Sequence, residues 1–199
     1  MLEVIDLTLP IPETELETVA PSAPFETVRT IETCLWNIRQ GGSEYQARVH
    51  KLHHWGMAGT YIDFPGHILA TDDGCRADTV PLDRLFRLPA SVIHLDRADG
   101  SGMIDVPELR DALALPLDTP AVIINALGPR QFDEIEERSV YLSIDVARWL
   151  ADAGVRLLVS DVYESNSAPQ GLFPALFARG IHTVCCPTNL HAIRAHRVR

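Results

Sequence analysis

The chain has 199 residues, enough for one domain with a sizeable buried core. Hydrophobic residues make up 46% of it and charged residues 22%, a balance typical of soluble globular proteins. The formal net charge of −10 argues against nucleic acid and an anionic membrane surface as partners. No apolar run approaches the roughly 20 residues that cross a bilayer, and residues 1–9 lack the layout of a signal peptide. We therefore expect a cytoplasmic protein whose four cysteines stay reduced.

Strand and helix signals alternate along the chain. Strands are predicted at residues 2–9, 44–55, 92–95, 121–126, 155–159 and 181–186, and a Pro-rich ordered loop at residues 10–24. Helices are predicted at 106–113 after the cap Asp105, at 144–153 after the cap Ser143, and from Pro174 to the stop at Gly180. This order of strands and helices indicates an α/β domain.

Residues 59–67 read Gly-Thr-Tyr-Ile-Asp-Phe-Pro-Gly-His. This run resembles the signature of the cyclase family, His-x-Gly-Thr-His-x-Asp-x-Pro-x-His, which bacterial kynurenine formamidase, isatin hydrolase and some polyketide-type cyclases share. The matching residues are Gly59, Thr60, Asp63, Pro65 and His67. The resemblance implies a swivelling β/β/α fold in which residues 1–199 form a single cyclase-like domain. It also implies a homodimer or homotetramer with sites near subunit contacts.

The family's metal ligands are mostly replaced in this chain. In the family, the signature provides two histidines and an aspartate, and a later histidine and glutamate complete the site. Met57 and Tyr61 occupy the two histidine positions, and Phe173 and Cys185 occupy the later pair. A thioether is a poor donor for a hard metal, a phenol must first lose its proton, and a phenyl ring cannot bind. We therefore expect neither a metal nor another cofactor.

A relocated metal site is the alternative. His50, His53 and His54 lie just before the signature, and Cys185 could bind as a thiolate. His50 and His54 share a face in either a helix or a strand, whereas His53 points away if the segment is a strand. The competing interpretation is a solvated or interfacial histidine cluster.

Three residues of the signature are candidates for catalysis. His67 occupies the position of the family's proton shuttle, and an imidazole can exchange a proton near neutral pH without a metal. Asp63 could orient His67, act as a base if burial raises its pKa, or cap the local turn. Tyr61 could donate a hydrogen bond to a substrate carbonyl, or its ring could fill the cavity.

Four further residues are candidates for substrate binding. Trp55 could stack on a planar substrate, and Met57 and Phe173 could line an apolar pocket, although core filling explains all three. Cys185 could line the same pocket or act as a nucleophile with His67 and Asp63, but buried cysteines more often behave as small hydrophobic residues. Polar side chains at 164, 166 and 170 could belong to a pocket loop or to the surface.

These residues favour a metal-independent cyclase-like enzyme that performs acid–base catalysis on a small carbonyl metabolite, cyclic or cyclising. Ring closure or opening, dehydration and hydrolysis of an activated amide or lactone are all compatible with His67, Asp63 and Tyr61. The alternatives are a metal-dependent amide or lactone hydrolase with relocated ligands, and a non-catalytic relative that binds a small molecule. Metal analysis and mutation of His67 distinguish the three.

Overall fold

The computed structural model describes residues 4–9, 29–54, 56–95, 97–130, 139–165, 167 and 169–199, with the backbone alone at 29, 30, 32, 40, 53 and 54. The predicted loop at residues 10–24 lies outside this part of the chain. Residues 9–61 form one compact unit, and residues 1–8 with 62–199 form a second, larger one. Each unit is described by itself, and the single domain over 1–199 stays a prediction.

The smaller unit contains a long β-hairpin. Strands β1 (Arg29–Gln40) and β2 (Ser43–His54) pair antiparallel over their full lengths. Gly41 and Gly42 join them with φ of 59° and 82°, a backbone that a two-residue hairpin turn requires and that glycine adopts without strain. The predicted strand at 44–55 is confirmed as far as His54, whereas β1 was not predicted.

The larger unit is built on a six-stranded sheet with the order β10-β4-β6-β8-β9-β3. Its central strands are parallel: β4 (Ala90–His94), β6 (Ala121–Asn125), β8 (Leu157–Ser160) and β9 (His182–Cys185). The edge strands are β3 (Tyr61–Asp63) and the antiparallel β10 (Arg197–Val198). A separate parallel pair joins β5 (Gly102–Ile104) to β7 (Val140–Leu142).

Three α-helices accompany the sheet in the described residues: α1 (Val106–Ala112), α2 (Asp145–Asp152) and α3 (Leu172–Phe177). The central strand β6 is buried on both faces, since all five of its residues are buried, whereas partly exposed and buried residues alternate along β8 and β9. On one face, Val92 and Ile123 pack in a cluster with Leu190 and Ile193. None of the three helices is long and apolar enough to cross a membrane, within the residues that the structure describes.

The α/β class and most of the predicted elements are confirmed. The predicted strands at 92–95, 121–126, 155–159 and 181–186 correspond to β4, β6, β8 and β9. The Asp105 carboxylate accepts a hydrogen bond from the backbone N–H of Glu108 at 2.9 Å, so the predicted cap of α1 is confirmed. Gly154 and Gly180 follow α2 and α3 with φ of 79° and 69°, as helix-stop glycines do.

Two predictions are wrong. Residues 4–9 form no strand: the Asp6 carboxylate accepts hydrogen bonds from the N–H and hydroxyl of Thr8, a local pattern that competes with strand pairing. Ser143 does not cap α2: the helix begins after Ile144, without a side-chain cap. The hydroxyl of Ser143 is buried and has no hydrogen-bond partner among the described residues. A serine that precedes an amphipathic segment is therefore not sufficient to predict a helix N-cap.

A buried carboxylate fixes the segment that leaves β6. Asp161 follows β8, and its carboxylate accepts hydrogen bonds from the N–H groups of Ala126 (2.9 and 3.0 Å) and Leu127 (2.9 Å). Burial raises the pKa of Asp161 to about 6, although these backbone donors favour the charged form. The folded protein therefore binds a proton at Asp161 more tightly than the unfolded chain does.

We expect Asp161 to make the free energy of unfolding pH-dependent. Its contribution is full below its ordinary pKa of 3.8 and is lost as the pH rises through about 6. The rise of the Asp161 pKa from 3.8 to about 6 corresponds to about 3 kcal/mol of unfolding free energy. The unfolding free energy of the wild type minus that of Asp161→Asn should therefore fall between pH 4 and 6 in urea titrations. A constant difference across that range would contradict the expectation.

Candidate active site

A short turn places the two central residues of the site. β3 ends at Asp63, Phe64 is buried, and Pro65 begins a 3₁₀ turn that ends at His67. The N–H of His67 donates to the Phe64 carbonyl at 2.8 Å and closes the turn. Proline suits the first position of such a turn because its φ is already fixed there. The turn thereby brings the side chains at positions 63 and 67 to the same side.

Asp63 and His67 form an ion pair when the imidazole is protonated. The Oδ1 atom of Asp63 lies 3.8 Å from Nδ1 of His67, within electrostatic contact but longer than a hydrogen bond. The Asp63 side chain is 13% exposed and that of His67 is 47% exposed. Burial raises the pKa of Asp63, and the positive charge of His67 partly opposes that rise. The pair thus joins a largely buried carboxylate to an imidazole that is about half-exposed to solvent.

Aromatic rings flank His67. Its imidazole meets the ring of Phe177 edge-on, with centroids 6.5 Å apart and planes at 82°. Phe173 contacts Phe177 at 6.0 Å and stacks on Tyr163 at 5.1 Å and 24°. Phe173 and Phe177 lie four residues apart on α3, so they share one side of that helix. These rings give His67 an apolar neighbour on one side.

Hydrogen bonds hold these rings in place. The hydroxyl of Tyr163 donates to the carbonyls of Leu158 (3.1 Å) and Val184 (2.8 Å), which ties it to β8 and β9. The carboxylate of Glu164 accepts from the N–H of Leu172, the first residue of α3. A carboxylate at a helix N-terminus satisfies a donor that the helix cannot use. The neighbours of His67 are therefore anchored to the sheet and to a helix start.

Glycine is required at position 66 by close packing. A Cβ atom there would lie 2.5 Å from Cγ of Arg76 and 2.9 Å from the Cys75 carbonyl oxygen. The N–H of Gly66 donates to that same carbonyl at 3.0 Å. Asp72 forms an ion pair with Arg76, and its other oxygen accepts from the N–H of Gly74, so the opposing loop is itself ordered. The turn before His67 therefore packs directly against backbone.

The remaining predicted site residues are placed as follows. Tyr61 is half-buried; it is the first residue of β3 and the last residue of the smaller unit. Met57 also belongs to the smaller unit and is 39% exposed, so it is not a core residue. Trp55 lies outside the described residues. Cys185 is 4% exposed, and its Sγ atom contacts the hydroxyl of Thr183 at 3.7 Å. The catalytic role of Tyr61 and the substrate-binding roles of Met57, Trp55, Phe173 and Cys185 stay predictions.

The residues present do not fit the family's metal. At the two later ligand positions, Phe173 stacks on Tyr163, and the thiol of Cys185 faces Thr183 inside the core. Within the described residues, no three His, Cys, Asp or Glu side chains group closely enough to hold a metal ion. At the upstream histidines, Nδ1 of His50 lies 3.1 Å from the hydroxyl of Thr33 on β1, and the side chains of His53 and His54 are not described.

Sequence reasoning missed Tyr163, Phe177 and Gly66. The spacing of Phe173 and Phe177 on a predicted helix was a usable signal, because residues four apart lie on one helix face. The positions of Tyr163 and Gly66 depend on contacts with segments 21 and 9 residues away, Val184 and Cys75. No local pattern carries that information.

Comparison with known proteins identifies the family and the fold of the chain. The sequence model of the family described as putative cyclase matches residues 5–166, so the chain belongs to the cyclase family. No curated protein matches the chain. Solved structures with similar folds include a predicted metal-dependent hydrolase from Bacillus stearothermophilus, with 22% identity over 98% of this chain and 86% of that one and a TM-score of 0.63.

Two isatin hydrolases are also similar. Isatin hydrolase A from Labrenzia aggregata, bound to benzyl benzoate, has 17% identity over 96% of this chain and 82% of its own, with a TM-score of 0.63. Isatin hydrolase A from Ralstonia solanacearum has 14% identity over 96% and 81%, with a TM-score of 0.60. At these identities the likeness shows the fold, and the predicted cyclase-like α/β fold is confirmed.

The close approach at Gly66 predicts a large effect for a single methyl group. Gly66→Ala should destabilise the protein by about 1–3 kcal/mol, because the Cys75 backbone must move to admit the Cβ atom. Gly56→Ala is the matched control, since a Cβ atom there meets nothing within 4 Å. Urea unfolding of both variants measures the difference. Equal stability of the two variants would show that the loop yields without cost.

Proposed function

We propose that this protein is a metal-independent enzyme that performs acid–base catalysis on a small carbonyl metabolite. The observation that carries the proposal is the pair formed by Asp63 and His67, in which the carboxylate is largely buried and the imidazole is half-exposed. A general base must reach the proton that it abstracts, and it needs a neighbouring group that stabilises the positive charge it acquires. His67 has the access, and Asp63 supplies the negative charge.

The proposal gives different tasks to the two imidazole nitrogens. Nδ1 of His67 faces Asp63, which leaves Nε2 to meet a substrate. Nε2 would accept a proton from a carbon acid, a hydroxyl group or a water molecule, and it would return that proton to the leaving or newly formed group. The carboxylate stabilises the imidazolium between these steps. Phe177 lies edge-on to the ring, with centroids 6.5 Å apart, and provides an apolar neighbour on one side.

The expected size of this effect limits the reaction class. Proton transfer by a positioned side chain contributes on the order of 10²–10⁴-fold to a rate. That gain suffices for an intrinsically easy step, but it does not replace a metal-activated water at an unactivated amide. Ring closure or opening, dehydration, isomerisation and hydrolysis of an activated amide or lactone are therefore the reactions that this pair supports, with elimination and cyclisation favoured over formamide hydrolysis.

A hydrolase is the second candidate. The similar solved structures are described as a metal-dependent hydrolase and isatin hydrolases, which favours hydrolysis of a carbonyl compound. A metal-dependent version would need ligands other than Phe173 and Cys185. Metal analysis of the purified protein separates this candidate from the first.

We expect His67→Gln to lower turnover by about 10²- to 10⁴-fold, because the proton acceptor is lost. The assay is turnover of a panel of cyclic amides, lactones and cyclising carbonyl compounds, and the wild type should keep its rate after treatment with EDTA. His191→Gln is the matched control, since His191 lies in the turn Leu190–Ala192, away from the Asp63–His67 pair. Loss of wild-type activity on chelation, with recovery on adding Zn²⁺ or Mn²⁺, would falsify the metal-free mechanism.

We further propose that the protein forms a homo-oligomer through the β1–β2 hairpin. A two-stranded hairpin is marginally stable by itself, and this one leaves at least half of each of four large side chains exposed: Leu35, Trp36, Tyr45 and Leu52. Residues 29–54 carry four cationic and two anionic residues, whereas the whole chain has a formal charge of −10. This contrast favours an acidic surface of a second copy as the partner of the hairpin.

Trp36→Glu should shift the mass measured by light scattering toward the monomer, because it removes an exposed aromatic anchor and adds repulsive charge. Leu82→Glu, at an exposed leucine outside the hairpin, should leave the mass unchanged. A monomeric wild type, or the same mass for wild type and Trp36→Glu, would contradict this interface.

A further inference from the structure

The peptide group between Pro65 and Gly66 lies one residue before His67 and is fixed at both of its polar atoms. Its N–H, on Gly66, donates to the carbonyl of Cys75 at 3.0 Å. Its oxygen, on Pro65, accepts from the hydroxyl of Thr71 at 2.9 Å. A peptide plane held from both sides cannot rotate without breaking one of these bonds. The backbone that enters His67 is therefore fixed in direction.

Thr71 provides the stronger of the two bonds to the Pro65 oxygen. The other donor to that oxygen is the N–H of Ile68, at the longer distance of 3.4 Å. The same hydroxyl lies 3.2 Å from the Ile68 carbonyl, which already accepts from the N–H of Thr71 at 3.0 Å. Removal of the hydroxyl would leave the Pro65 oxygen with one long bond and would loosen the turn on both sides of His67.

We infer that Thr71 is a positioning residue for His67, which sets where the imidazole stands relative to Asp63. The inference rests on the proposed function for its catalytic consequence, but its structural part does not. The hydroxyl acts through the Pro65–Gly66 peptide, and Thr71 itself touches neither reacting group. Geometry of this kind matters for rate, since a displacement of about 1 Å at a catalytic group can cost about 10²-fold.

Thr71→Val removes the hydroxyl at nearly constant shape, and Thr71→Ser restores it. The first readout is the chemical shifts of the His67 imidazole at fixed pH, assigned with His67→Gln. We expect Thr71→Val to move these shifts and Thr71→Ser to return them toward the wild-type values. Thr119→Val is the matched control: its buried hydroxyl accepts from the N–H of Ser91 in β4 and donates to the carbonyl of Ala121 in β6. Strands β8 and β9 lie between β6 and β3, which precedes the turn, so loss of this hydroxyl should cost stability without moving His67.

The second readout is turnover. Thr71→Val should lower kcat by about 10- to 100-fold with little change in KM, and Thr71→Ser should recover most of it. If Thr71→Val fails to fold, Thr71→Ala removes the same hydroxyl with a smaller side chain and replaces it in both measurements. The inference would be overturned if a folded variant without the Thr71 hydroxyl kept the His67 chemical shifts of the wild type. It would also be overturned if Thr119→Val changed those chemical shifts as much as Thr71→Val does.

The two readouts separate failure of this inference from failure of the proposed function. Shifts that move in Thr71→Val while His67→Gln retains full turnover would support the positioning role and refute His67 as the catalytic base. Shifts that stay fixed while His67→Gln abolishes turnover would refute the positioning role and leave the proposed function intact.

Discussion

The proposed site depends on a largely buried carboxylate, that of Asp63, which has to stay charged beside His67. Burial raises the pKa of Asp63 because the charged form loses its hydration, and the nearby positive charge of His67 opposes this rise. The same burial strengthens the attraction between the two groups, since the local dielectric is lower than that of water. Their separation of 3.8 Å is therefore the quantity that the surrounding structure has to maintain.

The backbone around Gly66 maintains that separation at little entropic cost. The two residues are four apart, and Pro65 already has the φ that the intervening turn requires. The loop at 72–76 then packs on Gly66 so closely that a methyl group does not fit. A rigid turn with a backbone contact fixes the Cα–Cβ direction of His67 more narrowly than side-chain contacts would, because side chains can adopt other rotamers.

Local signals predicted the parts of the fold that depend on local physics. The apolar runs of β6 and β8, the Asp105 cap and the Gly154 stop each express a constraint within a few residues. Ser143 shows where such reasoning ends, because its hydroxyl is buried in tertiary packing instead of bonding the helix. For the site, the signature spacing predicted Asp63 and His67, whereas the contacts made by Tyr163 and Gly66 cross from one segment to another and left no local pattern.

The residues at the family's metal-ligand positions and the Asp63–His67 pair can be explained together. A cation bound at Asp63 would neutralise its carboxylate and compete with His67 for it. Under the proposed function, neither Phe173, which stacks on Tyr163, nor the buried Cys185 thiol supplies a ligand for such a cation, and His67 serves as the counter-charge of Asp63. In that proposal the imidazole has what a general base needs: a negative partner 3.8 Å from Nδ1 and a side chain that is 47% exposed. In the proposed metal-independent mechanism, the residues at the family's ligand positions and the Asp63–His67 pair thus both favour proton transfer over metal chemistry.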